Sequence, residues 1–456
     1  MPDMNRETTE GHETARFAAW RSHLLRDGGA PETDLEELEE ALSSAFGSLR
    51  EAGLDPDEAF LVALKRVGEQ HPPTREFAHQ HAVRILEPPA RAETDRWGVG
   101  AETWVALGLA ALAAILAKAL QFLGPPLTED AIAFYARNES IVALGCVAGY
   151  FAWKRGSSTA RSVRVAATFV AAAAVINLFP FVTAGSTEVL ASVHLPIALW
   201  LAVGIAYTAG RWSVSAVRMR FVRFSGELFI HGVLIALGGL VLSAITLTLF
   251  GRIGVDTDRL WGAWVLPCGA AGTIVIASWL AESRTRVSGS LAPLLARIFT
   301  PLFAFALLAL LLTMAWTGTG LRIEREVLIV LDGLLAVVVG LVLYAVSARA
   351  PDSAPAAFDT LQSLLVVLAL AVDLLALGAI GARIAEFGFT PNRTAALGLN
   401  LVLLASLAGS AWFYLRFLRG LGSFAALERW QTGFLPVYAG WAATVAVLFP
   451  PLFGYL

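Results

Sequence analysis

The sequence predicts an all-α fold: a polytopic transmembrane helical bundle of about eleven spans with a small N-terminal cytoplasmic helical domain. Three observations support this fold class. Hydrophobic residues make up 56% of the 456-residue chain and charged residues only 16%, whereas a soluble chain carries roughly 25% charge. Long apolar runs recur from residue 103 onward. The first 97 residues lack such runs and have a net charge of −9, against +6 for the remainder.

The N-terminal domain, residues 1–90, is predicted to consist of four short amphipathic helices. Phe17, Trp20 and Leu24 lie on one face of the first helix, because their spacing matches the helical period. Capping residues, prolines and glycines mark the helix boundaries. The predicted helices cover about residues 10–26, 33–52, 56–68 and 74–87, and residues 91–102 form a linker to the transmembrane domain, residues 103–456.

Four short runs of the N-terminal domain resemble a known bacterial module: residues 17–24, 35–42, 53–60 and 63–68. In the third run, Gly53-Leu-Asp-Pro-Asp-Glu-Ala-Phe60 joins two amphipathic helices. The pattern is similar to the permease prefix domain, a HAAS-like helical module found before some bacterial membrane regions. This resemblance implies a cytoplasmic regulatory or docking domain, so a soluble cytoplasmic protein is the expected partner of residues 14–87. An ordinary solvated face is the alternative explanation of its acidic surface.

Eleven apolar segments are predicted to cross the membrane, because about 20 apolar residues span ~30 Å of hydrocarbon. They cover about residues 103–123, 139–153, 163–183, 189–209, 228–250, 261–281, 293–316, 326–347, 360–382, 394–417 and 433–453. The second segment is the shortest of them. Trp104, Trp212 and Trp316 are among the tryptophans near the predicted ends, where aromatic residues favour the membrane interface.

The loops between the spans predict the orientation of the chain. If the N-terminal domain is cytoplasmic, the loops on that side carry 15 lysines and arginines, and the opposite loops carry 7. The positive-inside rule therefore predicts a cytoplasmic N-terminus and an external C-terminus. The use of 31 arginines against 3 lysines is typical of a GC-rich bacterial genome. The expected location is the bacterial cytoplasmic (inner) membrane.

Five polar residues within the spans are candidates for a functional site, because ionisable and polar groups at membrane depth are costly. They are Lys118, Asn177, Asp332, Asp373 and Asn400. With the predicted orientation, all five lie near the midplane or in the outer half of the membrane. We hypothesise one intramembrane polar cluster in which Lys118 pairs with Asp373 or Asp332. A structural ion pair between helices, without a role in transport, is the alternative.

A distinctive loop motif lies between the ninth and tenth predicted spans. It consists of Arg383, Glu386, Gly388, Thr390, Pro391, Asn392 and Arg393. Gly388 permits a turn, Thr390 is a helix cap, and Pro391 suits the first helical position. Arg393 would oppose the helix dipole in the first turn, so it is expected to have an anion nearby, with Glu386 as the closest candidate. A tight connecting loop without further function is the alternative.

The same stretch carries a second resemblance. The run from Arg383 to Arg393, with Thr300-Pro-Leu-Phe303 before it and Arg416-Phe-Leu-Arg419 after it, is similar to a bacterial membrane family named domain of unknown function 4153. The similarity covers roughly residues 220–456. It implies a polytopic membrane fold and leaves the activity open.

The sequence lacks the motifs of common catalytic and cofactor sites. It contains no Walker loop, Gly-x-Ser-x-Gly elbow, His-Glu-x-x-His or Cys-x-x-Cys, and its membrane region has only two histidines. Cys146 and Cys268 lie in apolar runs and are predicted to be buried apolar side chains rather than metal ligands. An enzyme, a cofactor, a bound metal and a nucleic-acid partner are therefore not expected.

Two functions fit these observations. In the first, a permease-like body in the lipid bilayer moves or binds a small solute, and the N-terminal domain regulates it or docks a partner. In the alternative, the body is a membrane-embedded sensor or scaffold that signals through the N-terminal domain to a soluble protein.

Overall fold

The computed structural model describes Trp20, Leu54, Thr257 and the ranges 32–52, 56–68, 100–126, 128–253, 260–284, 292–318, 324–349 and 353–456. Three predicted elements lie outside the described residues. They are the first helix apart from Trp20, the fourth helix over about 74–87, and the linker before residue 100. The chain divides into two compact units, Met1–Gly100 and Ala101–Leu456.

Two helices of the N-terminal unit surround a small hydrophobic core. Helix α1 covers Glu32–Glu51 and helix α2 covers Pro56–Gly68, which agrees with the helices predicted over 33–52 and 56–68. Apolar residues recur every three or four positions in both helices, so each helix buries one face. The buried core side chains include Trp20, Leu42, Phe46, Leu49, Phe60 and Leu64.

Helices alone form the membrane body, and no strand occurs in the described part of residues 101–456. The helices are α3 Ala101–Leu123, α4 Ile132–Lys154, α5 Thr159–Leu178, α6 Ser186–Tyr207, α7 Ser215–Arg252, α8 Leu266–Arg284, α9 Ala292–Thr317, α10 Arg325–Ala348, α11 Ala357–Phe387, α12 Pro391–Leu418, α13 Phe424–Ala443 and α14 Phe449–Leu452. A 3-10 turn at Glu129–Ala131 precedes α4. Two π-helical turns, at Trp261–Val265 and Thr444–Leu448, precede α8 and α14.

Ten helical segments of the described chain are long and apolar enough to cross a membrane. The remaining predicted span corresponds to α4, whose 23 residues reach about 34 Å and also suffice for the hydrocarbon thickness. Helix α4 is less apolar because its first half carries Arg137, Asn138 and Glu139. It packs against α3, α6 and α8, and Arg137 and Asn138 are buried. The prediction of an all-α polytopic bundle with about eleven spans is confirmed.

Large apolar side chains cover the outside of the body. On α7, Leu234, Leu242 and Leu249 are each more than half exposed, and Trp316 at the end of α9 is 92% exposed. An exposed apolar surface of this extent is unstable in water and stable in hydrocarbon. The protein is therefore a multi-pass membrane protein, and the lipid bilayer is its environment.

Helix α7 joins the two hydrophobic clusters that form the core of the body. Phe221 and Phe224 belong to the first cluster, which is built mainly from α3 to α6 and α8. Met219 and Val222 belong to the second cluster, which is built mainly from α9 to α13. Residues three apart share a helix face, whereas adjacent residues do not. One face of α7 therefore packs against the first half of the bundle, and another face packs against the second half.

Two tryptophans of α13 lie directly over two glycines of α12. A Cβ atom at Gly398 would be 2.0 Å from the Trp441 ring, and one at Gly409 would be 2.0 Å from the Trp430 ring. The two glycines are 11 residues apart, and so are the two tryptophans, which is about three helical turns. Both contacts therefore occur in one antiparallel register, and the absence of a glycine side chain permits the close approach.

We predict that Gly409→Ala destabilises the body by about 1–3 kcal/mol, because the added methyl group has no room beside the Trp430 ring. Gly440→Ala is the matched control, since a Cβ atom there meets nothing within 4 Å. In an open helical position, alanine is favoured over glycine by up to about 1 kcal/mol. The two variants should therefore shift the thermal unfolding temperature of the purified protein in opposite directions. Equal shifts would show that the contact between Gly409 and Trp430 does not limit packing.

Candidate functional site

Asn400 joins two helices of the second half of the body through its amide group. This side chain of α12 is 0% exposed. Its Nδ2 donates to Oδ1 of Asp332 on α10 at 2.7 Å and to the Ala396 carbonyl oxygen at 2.9 Å. Both amide hydrogens are thus used, and Oδ1 of Asn400 has no hydrogen-bond partner in the described chain. An amide oxygen that is buried without a donor is a costly arrangement.

Asp373 of α11 is buried next to this pair. Asp373 is 0% exposed, and neither of its carboxyl oxygens has a hydrogen-bond partner within the part of the protein that the structure describes. Ala369, Val372 and Ala376 occupy the same buried stripe of α11, at helical spacing. The sequence pattern of α11 therefore places the carboxyl group inside the bundle rather than toward lipid.

Together, Asp332, Asp373 and Asn400 form what we call the acidic site. The two carboxyl groups interact electrostatically with each other. An ionised carboxylate and an amide oxygen only accept hydrogen bonds, so the site presents three buried acceptor atoms without donors. Oxygen atoms of these types bind protons or hard cations. The residues described contain no group of three or more histidine, cysteine or acidic side chains arranged for a metal ion. Two carboxyl groups and one amide oxygen suit a single small cation of low charge.

Lys118 is not part of the acidic site, which corrects the hypothesis that it pairs with Asp373 or Asp332. Its Nζ donates to Oε1 of Gln121 at 2.6 Å and to the Ala263 carbonyl oxygen at 2.7 Å. The Trp264 ring centroid lies 4.1 Å from Nζ. Helix α3 packs against α8, and the π-helical turn before α8 brings Ala263 and Trp264 to the lysine.

Asn177 also lies elsewhere, so the single polar cluster of the hypothesis is wrong. On α5, its amide pairs with that of Asn138 on α4 through two hydrogen bonds of 2.7 and 3.1 Å. Such a reciprocal amide pair satisfies both side chains and links the two helices. The five residues are divided among three places: the acidic site, the surroundings of Lys118 and this amide pair.

At the loop motif one helix ends and the next begins, as predicted. Gly388 has a φ of +73°, which favours glycine, and the α11 helix ends at Phe387. Thr390 caps α12, since the backbone N–H of Arg393 donates to its Oγ1 at 3.4 Å, and Pro391 takes the first helical position.

Arg393 has a different partner from the anion that we expected. Its guanidinium donates to the carbonyl oxygens of Phe387 and Gly388, both at 2.9 Å. A cation at the C-terminal carbonyls of the preceding helix is favourable, which offsets its position at the start of α12. Glu386, the expected anion, is exposed, and Arg383 lies half-buried on the last turns of α11.

Asn392 connects the loop motif to another part of the body. Its Nδ2 donates to Oγ of Ser186, the first residue of α6, at 3.2 Å. The motif therefore combines a helix cap, a C-terminal cation and an interhelical hydrogen bond. These contacts indicate a structural role for it.

Several ion pairs that the sequence reasoning missed connect the helix ends of the first half. Glu102 of α3 contacts Lys154 of α4, and Arg155 donates to Oε1 of Glu282 on α8 at 2.6 Å. Near the other end of α4, Arg137 is paired with Glu188 of α6. The partners are 51 to 127 residues apart. No local spacing in the sequence signals such pairs.

Comparisons of the chain with models of known protein families, with curated proteins and with solved structures found no match.

We predict that Arg393→Gln destabilises the body by about 1 kcal/mol, because the carbonyl groups at the end of α11 lose a charged donor. Glu386→Gln should leave the unfolding temperature unchanged, since that carboxyl group is exposed. Thermal unfolding of both purified variants tests this. If the two substitutions destabilise equally, Arg393 depends on Glu386 and the assignment to the helix carbonyls is wrong.

Proposed function

We propose that the body, residues 103–456, is a permease-like carrier for a small solute, and that the acidic site binds its coupling cation. One observation carries this proposal: Asp373 is fully buried among transmembrane helices, with two carboxyl oxygens that lack any donor in the described chain. Carboxylates at membrane depth are costly and are typical of ion and proton pathways.

A purely structural role for the acidic site is less well supported. A structural ion pair needs a cation, and the lysine that the sequence offered binds Gln121 and the Ala263 carbonyl instead. The Asn138 and Asn177 amides show what a complete structural polar pair looks like in this body, because each amide both donates to and accepts from the other. The acidic site instead has acceptors in excess. A bound proton or monovalent cation supplies the missing positive charge, and its release makes the empty site unfavourable.

The surroundings of both histidines of the body favour a carrier over an enzyme. Nδ1 of His194 lies 2.8 Å from the Leu190 carbonyl oxygen, and Nδ1 of His231 lies 2.7 Å from that of Glu227. Each ring is therefore tied to its own helix. Catalysis commonly recruits histidine beside a nucleophile or carboxylate pair, and neither histidine belongs to the acidic site.

For the N-terminal unit we propose a cytoplasmic regulatory or docking role, in a protein of the bacterial inner membrane with an external C-terminus. The two-fold excess of lysine and arginine in the loops on one side supports the orientation. The unit has its own hydrophobic core, and Glu40 and Glu51 on α1 are exposed. A separate core with an acidic surface suits a docking module for a soluble protein.

We predict that Asp373→Asn abolishes cation binding by the body. Solid-supported membrane electrophysiology on proteoliposomes detects the transient charge movement that follows a jump in proton or sodium concentration. The wild-type protein should give such a transient, and Asp373→Asn should reduce it roughly tenfold or more, because the buried carboxylate supplies the charge that binds the cation.

Glu386→Gln is the matched control for this experiment, because it removes an exposed carboxylate of the same helix. It should leave the transient unchanged. A transient of wild-type size in Asp373→Asn would contradict the assignment of the cation to the acidic site. If the wild-type protein responds to neither cation, the carrier proposal is wrong.

We also predict that a photo-cross-linking amino acid at position 40 of the full-length protein captures a specific soluble protein in cells. The same amino acid at position 242, where Leu242 of α7 is 67% exposed on the apolar surface, is the control and should capture lipid. Mass spectrometry of the products distinguishes the two results. The docking role fails if position 40 yields no soluble protein, or if it yields the same products as position 242.

A further inference from the structure

The end of α3 and the π-helical turn before α8 bring hydrogen-bond donors together, in contrast to the acidic site. Lys118 uses two N–H groups, for Gln121 Oε1 and the Ala263 carbonyl oxygen, and an ammonium has three. The amide Nε2 of Gln121 is buried and has no acceptor in the described chain. Because Gln121 Oε1 already accepts from Lys118, its amide N–H group lies close to the ammonium. We call Lys118, Gln121, Ala263 and Trp264 the Lys118 site.

Among the residues that the structure describes, no carboxylate is paired with Lys118. Both oxygen acceptors of Lys118 are neutral, and its other close neighbours are the rings of Trp264 and Phe122, at 4.1 and 5.7 Å. Aromatic faces stabilise a cation without neutralising it. A negatively charged acceptor is therefore the chemical complement of the Lys118 site.

The depth of the Lys118 site in the membrane indicates that its ligand is a lipid. Lys118 follows the first residue of α3 by 17 positions, or about 26 Å along the helix, so it lies near one membrane surface. There, long cationic side chains and tryptophans favour the interface. Trp264 is 50% exposed, Phe122 is 78% exposed and Leu123 is 84% exposed. These exposed side chains leave the Lys118 site open to the lipid interface.

We propose that the Lys118 site binds the phosphodiester headgroup of an anionic phospholipid. The phosphate oxygens would accept hydrogen bonds from Lys118 Nζ and Gln121 Nε2, the two groups with unused donors. The acyl chains would run towards the midplane, along Trp264 and the exposed apolar residues that precede Lys118 on α3, such as Ile115. A charge-assisted hydrogen bond to phosphate is about twice as strong as a neutral one. Zwitterionic lipids carry the same phosphodiester, but their headgroup cation cancels the net charge and repels Lys118, so the site should select net-anionic lipids.

This proposal is independent of the proposed carrier function. The acidic site lies on α10, α11 and α12, whereas the Lys118 site lies on α3 and the turn before α8. Loss of lipid binding would leave the assignment of the cation untouched, and loss of the cation transient would leave lipid selectivity untouched.

The test uses the full-length protein in a neutral detergent with three probes: dioctanoyl phosphatidylglycerol, dioctanoyl phosphatidylcholine and water-soluble glycerophosphoglycerol. Binding is measured as the rise in thermal unfolding temperature with probe concentration. Phosphatidylglycerol should stabilise the wild-type protein at roughly tenfold lower concentration than either other probe. Lys118→Met should remove this preference, and Lys118→Arg should retain it.

A second measurement tests the Lys118 site without any substitution of Lys118. Brominated phosphatidylglycerol should quench the tryptophan fluorescence of the wild-type protein more than that of Trp264→Phe. Brominated phosphatidylcholine should show little difference between the two proteins. Gln121→Leu should weaken the preference for phosphatidylglycerol while preserving the charge of Lys118.

Several results would overturn the proposal. Equal stabilisation by phosphatidylglycerol and phosphatidylcholine would show that the site does not select an anionic headgroup. Equal binding of glycerophosphoglycerol and phosphatidylglycerol would identify a soluble phosphodiester as the ligand rather than a lipid. Wild-type lipid preference in a folded Lys118→Met protein, or identical quenching in Trp264→Phe, would place the headgroup elsewhere.

Discussion

Hydrocarbon offers no hydrogen-bond partner, so a polar group at membrane depth must find its partner inside the protein. Helix α4 shows how this constraint arranges the body. Arg137 is paired with Glu188, Asn138 with Asn177, and Lys154 with Glu102. These contacts hold α4, with its buried polar residues, against α3, α5 and α6. By contrast, α7 has few such groups in its second half, and that part is exposed on the apolar surface.

Because of the same constraint, buried polar groups without a hydrogen-bond partner indicate which kind of ligand could bind beside them. At the acidic site, the atoms without a hydrogen-bond partner in the described chain are the oxygens of Asp373 and Asn400, which accept hydrogen bonds. Beside Lys118, the unpaired group is the Gln121 amide nitrogen, which donates, next to an ammonium with two neutral oxygen acceptors. The acidic site therefore suits a cation, and the Lys118 site suits an anion. The proposed small cation within the bundle and the proposed anionic headgroup at its edge would satisfy both requirements.

Close packing holds these groups in place without a large hydrophobic driving force, because lipid is as apolar as the helix surfaces. Gly398 and Gly409 let the Trp441 and Trp430 rings approach the α12 backbone. Helix α12 also carries Asn400 and begins at the loop motif that Arg393 ties to the end of α11. The position of the acidic site thus depends on contacts at the start of α12 and along its face.

The sequence by itself determined the membrane class, the spans and the local ends of helices. Apolar length predicts a span, and the residues from Gly388 to Pro391 predict the turn before α12, because these features depend on neighbouring residues only. The pairing of polar groups was decided by the tertiary structure. Depth in the membrane suggested that Lys118 meets Asp373, yet depth does not specify the rotation of a helix or its neighbours. Packing of α3 against α8 turned Lys118 toward Ala263, and packing of α10, α11 and α12 collected the acidic site.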